Sequence, residues 1–232
     1  MGSNGTNAIN PGLYPKLPVD PARDLAAIGM VASSPMILVT HPSVTANSIR
    51  ELVVLAKAKP GSINFASSGS GSTAHLSSEL FKSMAGVNLV HIPYKGAGPA
   101  LTDLVAGQVQ IMFTGISSTL PYVKSSRLKA LGVSSEKRVP ILPDVPAVNE
   151  EIPGYEVATW YGVFAPVQGP KTYVPKLNQT LTRIFSTTDA RQRLSALGAD
   201  PITLTPDQFN AAIRKETAKW AKVIKESGAR PD

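Results

Sequence analysis

The stretch "INFASSGSGSTAHLSSELFKSMAG", residues 63–86, runs from a short apolar segment through a glycine–serine loop into an amphipathic segment. Its pattern predicts a strand over 63–67 and a helix over 73–85 that ends at Gly86. A strand, a glycine loop and a helix in this order form the repeating unit of α/β proteins. This stretch therefore indicates an α/β fold.

The same unit recurs on both sides of this stretch. Upstream, Ser48 and Glu51 form a capping box for an amphipathic helix. Downstream, the sequence predicts a strand over 88–93, a helix with Pro99 at its first position, and a further strand in "LKALGVSS" (128–135). Alternation of this kind predicts parallel strands joined by right-handed crossovers.

The segments that flank this α/β block have a different pattern. "LAAIGMVASSPMILVTHP" (25–42) and "YEVATWYGVFAPVQGP" (155–170) are extended, β-branched and aromatic. Two such segments at the borders of a compact block are what a chain needs if it crosses between two domains twice. After residue 170 the pattern is helical, and Thr205 and Gln208 stand in capping-box register at the start of the last helix.

The composition narrows the class of protein. With 232 residues, 43% of them hydrophobic and 17% charged, the chain has the balance of a globular protein. The net charge of +7 comes from dispersed lysines and arginines without interleaved aromatic residues, so nucleic acid is not an expected partner. The chain has no cysteine, so neither disulfides nor thiolate metal sites can form. The opening residues 1–10 have neither a basic start nor an apolar core, so no signal peptide is expected within them.

The glycine loop matches the dinucleotide-binding spacing G-x-G-x-x-A at Gly69, Gly71 and Ala74. A nicotinamide site of this type requires an acidic residue about 20 positions later, at the end of the next strand. Tyr94 and Lys95 occupy that place. An oxidoreductase that binds NAD(P) therefore stays the weaker alternative.

Three successive predicted strands end in glycine-containing loops, at 67–72, 94–98 and 114–115. In a parallel sheet these loops share the carboxyl edge, where open α/β proteins bind their ligands. The serine hydroxyls, and backbone N–H groups turned outward by the glycines at a helix N-terminus, suit a carboxylate. The alternative is a solvated turn that only caps the following helix. His75 is favoured as a capping or packing residue, and His91 as a core histidine with a hydrogen-bond partner.

With these loops in place, the chain resembles the substrate-binding receptors of the tripartite tricarboxylate transporter family, also called Bug proteins. The segments "HIPYKG" (91–96) and "LPDVPAVNE" (142–150) carry much of the resemblance, which spans essentially the whole chain. It implies an α/β fold with two lobes, like that of type II periplasmic binding proteins. Residues 1–38 and 160–232 would form the first lobe, and 39–159 a second lobe with a complete parallel-type sheet.

The family's first strands and export signal have no counterpart in this sequence. The first lobe is therefore expected to be incomplete, through a misassigned start, truncation or natural shortening. Sheet surface that those strands cover in the family would then be exposed, which favours self-association.

The resemblance also implies a function. Such a receptor is periplasmic, closes a cleft between its lobes on a small organic carboxylate, and delivers it to the membrane components of a transporter without catalysis or a cofactor. A truncated remnant that binds nothing stays a further alternative. Carried onto this sequence, the implied ligand contacts are Asn4, Thr6, Ser67, Ser68, Gly69, Ser70, Gly71, Ser72, Tyr94, Lys95, Gly96, Thr114 and Gly115.

Overall fold

The computed structural model describes residues 1–170 and 172–230. They form two compact units. Unit 1 contains Met1–Ser34 and the described residues from Thr159 onward, and unit 2 contains Pro35–Ala158. The sequence places the boundaries after residues 38 and 159, inside the same two extended segments.

The helices and strands alternate along most of the chain. In chain order they are β1 (Gly2–Ser3), a π-helical turn (Gly5–Ile9), α1 (Asn10–Leu13), α2 (Pro21–Asp24), β2 (Leu25–Thr40), α3 (Ile49–Ala58), β3 (Asn64–Ser67), α4 (Thr73–Ala85), β4 (Val90–Pro93), α5 (Ala97–Val105), β5 (Ile111–Gly115), α6 (Ile116–Lys124), β6 (Lys129–Val133), α7 (Val148–Glu151), β7 (Ala158–Pro166), α8 (Tyr173–Phe185), α9 (Thr188–Ala196), β8 (Asp200–Pro201) and α10 (Pro206–Ser227).

The sheet of unit 2 has the strand order β4–β3–β5–β2–β6. Strand β3 is parallel to both β4 and β5, which confirms the prediction for the three strands around the glycine loop. The second half of β2 lies between β5 and β6 and is antiparallel to both, which the prediction of parallel strands did not include. Strand β2 is a continuous extended segment that reaches unit 2 from unit 1. No helical crossover joins β2 to β5 or β6 in the way that one joins successive parallel strands, so β2 can run antiparallel to both.

Strand β5 shows why both faces of this sheet are buried. Met112 packs in a core cluster that also contains Leu104 of α5. On the opposite face Phe113 stacks on Tyr155, with ring centroids 5.7 Å apart, and lies 6.0 Å from Phe81 of α4. A strand covered on both faces is apolar throughout rather than alternating, and this explains the apolar start of the sequence of β5.

Local capping signals fix the helices next to the glycine loop. Helix α4 spans the predicted residues, because Ser72 Oγ accepts a hydrogen bond from the His75 amide and Gly86 ends the helix in the left-handed conformation (φ 62°). Helix α5 begins at Ala97, two residues before the predicted start. Pro99 is thus its third residue, and its missing N–H is still tolerated there because first-turn amides have no partner within the helix.

Ser134, directly after β6, connects the two ends of unit 2. Its amide donates to the carbonyl of Met36 at 2.8 Å, and its Oγ accepts from the Met36 amide at 2.7 Å. The same hydroxyl donates to the carbonyl of Val157, whose amide donates to the Ser134 carbonyl at 2.8 Å. The chain therefore enters and leaves unit 2 beside one residue.

Unit 1 has an aromatic core beside its strands. Trp160 of β7 meets the ring of Phe209 edge to face at 5.2 Å, and β7 pairs with β1 in antiparallel register. Helix α10 begins with the predicted capping box, in which Thr205 and Gln208 each bond the backbone of the other. Within residues 1–170 and 172–230, no helix is long and apolar enough to cross a membrane.

Candidate functional site

The structure brings three glycine-containing loops of unit 2 to one edge of its sheet. Strands β3 and β4 end side by side, and the Tyr94 amide donates to the carbonyl of Ser67 at 3.2 Å. One step further, the Gly96 amide donates to the carbonyl of Ser68 at 3.2 Å. Strand β5, parallel to β3, ends at Gly115 on the same edge. Every predicted contact residue in unit 2 therefore lies at this carboxyl edge.

Inside the loop of residues 67–72, which we call the serine loop, the amides of two glycines donate hydrogen bonds to side chains of the protein. The Gly69 amide donates to Ser67 Oγ at 3.2 Å, and Ser67 Oγ also lies 3.1 Å from the Gly69 carbonyl. The Gly71 amide donates to Nδ1 of His75 at 2.9 Å. These two amides already have acceptors within the protein, so the outward-facing N–H groups expected of this loop are not those of Gly69 and Gly71.

Two other helix N-termini at this edge have no side-chain cap. Helix α5 begins after Gly96 and helix α6 after Gly115, and a glycine at the N-cap has no side chain that could accept a hydrogen bond from the first-turn amides. Gly96 has φ 118°, a conformation that only glycine adopts readily. Helix α4, by contrast, is capped by its own Ser72. The amides best placed to receive an anion are therefore those after Gly96 and Gly115.

A stack of three rings, those of His75, His91 and Phe65, supports the serine loop. The rings of His75 and His91 are nearly parallel, at 7°, with centroids 3.8 Å apart, and His91 also stacks on Phe65 at 4.8 Å. Nε2 of His91 lies 2.7 Å from Ser67 Oγ. Both histidines thus support the loop; His75 packs as the sequence favoured, whereas His91 has the expected hydrogen-bond partner but is only partly buried. The spacing of Gly71 and His75, four residues apart, was the one local signal of this contact.

A buried carboxylate continues this cluster along α4. Because His75 Nδ1 accepts the Gly71 amide, the proton of the neutral ring is on Nε2, which lies 3.7 Å from Oε1 of Glu79. Lys82 Nζ binds the same oxygen at 2.8 Å. Burial acts to raise the pKa of Glu79, but the nearby His75 ring and the hydrogen-bonded Lys82 together hold that pKa below its usual value. Glu79 therefore stays ionised beside the ring.

Tyr94 has a partner that the sequence did not reveal. Its hydroxyl donates to Oδ2 of Asp103 at 2.7 Å. Burial, together with this carboxylate, raises the pKa of Tyr94 to about 12. Its proton is therefore directed to Asp103 and not to a ligand, so the Tyr94 side chain offers a ligand an oxygen acceptor. Lys95, the neighbouring residue, is exposed.

The carboxyl end of β5 contains one buried and one exposed residue. Thr114 is buried within β5, whereas Gly115 is exposed. The Gly115 carbonyl accepts the hydroxyls of Ser118 and Thr119, each at 2.9 Å. These bonds fix the first turn of α6 and leave its amides pointing away from the strand.

Asn4 and Thr6 belong to unit 1 and make local bonds there. The side chain of Asn4, which is buried, accepts the Gly5 amide at 3.0 Å. Thr6 is exposed, and its Oγ1 accepts from the Ser3 amide at 3.0 Å and from Nδ2 of Asn7 at 2.7 Å. Both side chains help to form the π-helical turn.

No cluster of three or more histidines, aspartates or glutamates suited to a metal ion occurs among the residues that the structure describes.

Comparison with known proteins gives a family match over nearly the whole chain. The model of the tripartite tricarboxylate transporter family receptor matches residues 1–229. The chain is 37% identical over 215 residues to the UPF0065 protein in the tcbD–tcbE intergenic region of Pseudomonas sp. strain P51, covering 92% of this chain and 64% of that protein. It is 34% identical over 229 residues to BugT of Bordetella pertussis, covering 98% and 70%. The chain thus spans about two thirds of the length of these relatives.

Two solved structures with similar folds contain carboxylates. R. palustris Rpa4515 with adipate superposes with a TM-score of 0.88 at 33% identity, covering 100% of this chain and 78% of that one. MatC from Rhodopseudomonas palustris with bound malate superposes with a TM-score of 0.81 at 30% identity, covering 96% and 77%.

Proposed function

This chain belongs to the tripartite tricarboxylate transporter receptor family, and from that premise we propose that it is a periplasmic solute-binding protein for a small organic carboxylate. Adipate and malate, the ligands of the two similar structures, are both dicarboxylates. The proposed partners are the membrane components of a tripartite transporter. Self-association through unit 1 is a further proposal, tested by sedimentation. The family is one of receptors, which argues against a catalytic role.

The observation that carries the proposal is the pair of uncapped helix N-termini at Gly96 and Gly115, on either side of the serine loop. Amides at a helix N-terminus bind anions because their N–H groups lack partners and the helix dipole is positive there. A carboxylate accepts several such bonds at once. We propose that the unit 2 contacts named from the sequence surround one ligand carboxylate, and that Asn4 and Thr6 contribute from unit 1.

Replacing Ser70 with aspartate tests this assignment. The new carboxylate would stand where the ligand's charge is proposed to lie, and two unit charges about 4 Å apart repel by about 4 kcal/mol near a protein surface. We expect Ser70→Asp to weaken adipate or malate binding by more than about 100-fold in calorimetric titrations. Folding should be nearly unchanged, because a negative charge near a helix N-terminus is mildly stabilising.

Two variants serve as controls. Ser70→Asn has the same size as the aspartate variant without its charge and should retain most of the affinity. Ser83→Asp places the charge on the exposed last turn of α4 and should bind as the unmodified protein does. Unaltered affinity in Ser70→Asp would refute the role of the loop.

The same protein titrated with NAD and NADP tests the oxidoreductase alternative. Micromolar nicotinamide binding without any response to carboxylates would reverse the assignment. Flat thermal-shift curves with every compound would favour a domain that binds no small ligand.

A further inference from the structure

Two imidazoles hold the serine loop, that of His75, which is buried, and that of His91, which is partly buried. Its Gly71 amide donates to Nδ1 of His75, and its Ser67 hydroxyl is 2.7 Å from Nε2 of His91. His75 is only 5% exposed, so no solvent molecule can easily replace the ring as acceptor. Gly71 has φ 75°, a conformation that glycine adopts readily.

We propose that His75 is a positioning residue for the serine loop, and that the loop keeps its binding conformation only while His75 is neutral. The inference rests on the proposed function of this loop. A proton added to Nδ1 converts that atom from an acceptor to a donor. It would then face the Gly71 N–H, another donor, at 2.9 Å, and Gly71 would have to move.

The charged and titratable groups around His75 decide the direction of the effect. Glu79 lies 3.7 Å from Nε2 and is itself bound by Lys82 of the same helix. The ring of His91, from β4, is stacked on the other side at 3.8 Å. The charge of a protonated His75 is balanced by Glu79, so it adds little attraction for a ligand. Once His75 is charged, repulsion between the two stacked rings opposes the protonation of His91. Protonation therefore acts through the lost Gly71 bond and weakens binding.

The tautomer and its link to Gly71 can be tested without any ligand. The chain has three histidines, so long-range ¹⁵N–¹H NMR spectra can resolve each ring. We expect His75 to have its proton on Nε2 at about pH 8, the pH at which histidine is ordinarily neutral. The amide proton of Gly71 should shift together with the His75 ring as the pH falls. A proton on Nδ1, or a Gly71 signal that does not follow the ring, would overturn the proposal.

The functional consequence is a pH profile of affinity. Between about pH 8 and about pH 5.5, the range in which histidines titrate, adipate or malate affinity should fall about fivefold, the effect of one hydrogen bond. His75→Asn retains an acceptor near the position of Nδ1 and cannot be protonated, so it should bind well with a flatter profile. His75→Ala should bind weakly throughout. Protonation of the ligand itself is common to all three proteins.

His41 provides the control. It lies in unit 2 away from the loop, where its Nδ1 is 2.8 Å from Ser43 Oγ, so His41→Asn should leave the profile unchanged. Identical profiles for the unmodified protein and His75→Asn would overturn the proposal. If the unmodified protein binds no carboxylate at any pH, the proposed function fails, and the NMR titration alone decides the role of His75.

Discussion

Replacing Ser67 with alanine should destabilise unit 2 much more than replacing Ser78, another buried serine. Ser67 Oγ is bonded to the amide and carbonyl of Gly69 and to Nε2 of His91. Its removal leaves the buried Gly69 amide without this acceptor, whereas the Gly69 carbonyl still accepts the Ser72 amide at 3.2 Å. One such buried group costs about 1–3 kcal/mol, so we expect a loss of about 1–3 kcal/mol.

Ser78→Ala is the matched control. Its hydroxyl donates only to the carbonyl of Ala74, one turn earlier in α4. That carbonyl keeps its helical bond in the variant, and alanine is the better helix former. The change should therefore stay within about 1 kcal/mol.

Hydrogen exchange measured by mass spectrometry can separate the two cases. In Ser67→Ala, peptides that cover β3 and α4 should lose protection by roughly 5- to 150-fold, since about 1.4 kcal/mol corresponds to a factor of ten. Peptides from unit 1 provide the internal reference. If both serine variants exchange alike within about threefold, then Ser67 does not support the loop in the way the hydrogen bonds indicate.

Two further predictions concern other parts of the chain. In unit 1, a Cβ at Gly162 would overlap the ring of Phe209, so Gly162→Ala should destabilise that unit by about 1–3 kcal/mol. Urea titrations followed by tryptophan fluorescence measure this loss. Gly5→Ala is the control because a Cβ has room at Gly5, and equal unfolding midpoints for the two variants would contradict the prediction. In unit 2, the hydrogen bond from Arg138, aided by the Ala147 amide, lowers the pKa of Glu150 to about 2. Because this folded-state pKa lies below the unfolded value near about 4.3, the pair stabilises the fold above that pH and the contribution is lost as the pH falls towards about 2. Arg138→Gln should raise the pKa of Glu150 in a carboxyl NMR titration, and an unchanged pKa would refute the assignment.

The helices around the loop could be predicted because their signals are local. Ser72 and Gly86 bracket α4 within the sequence, and Thr205 with Gln208 marks the start of α10. A cap involves residues three or four positions apart, so the printed order of residues already contains it. The parallel arrangement of β3, β4 and β5 follows equally from the alternation of strands and helices.

The direction of β2 could not be predicted in this way. Leu38 pairs with Phe113, a partner that no local pattern identifies. The site has the same difficulty: His75 and His91 meet only after β3 and β4 have paired in register. The Gly69 and Gly71 amides are bound by Ser67 and His75, which are two and four residues away, but the glycine–serine pattern does not show that these side chains turn towards them.

The bonds of Ser134 to Met36 and Val157 have a consequence for protein engineering. A segment whose first and last residues are neighbours can be excised, circularly permuted or inserted into a loop of a host without stretching either chain. Near the ends of unit 2, Met36 and Val157 come together in this way because both bond Ser134. Placed between the halves of a split fluorescent protein, unit 2 would report by a change in fluorescence whether it alone carries the proposed carboxylate binding.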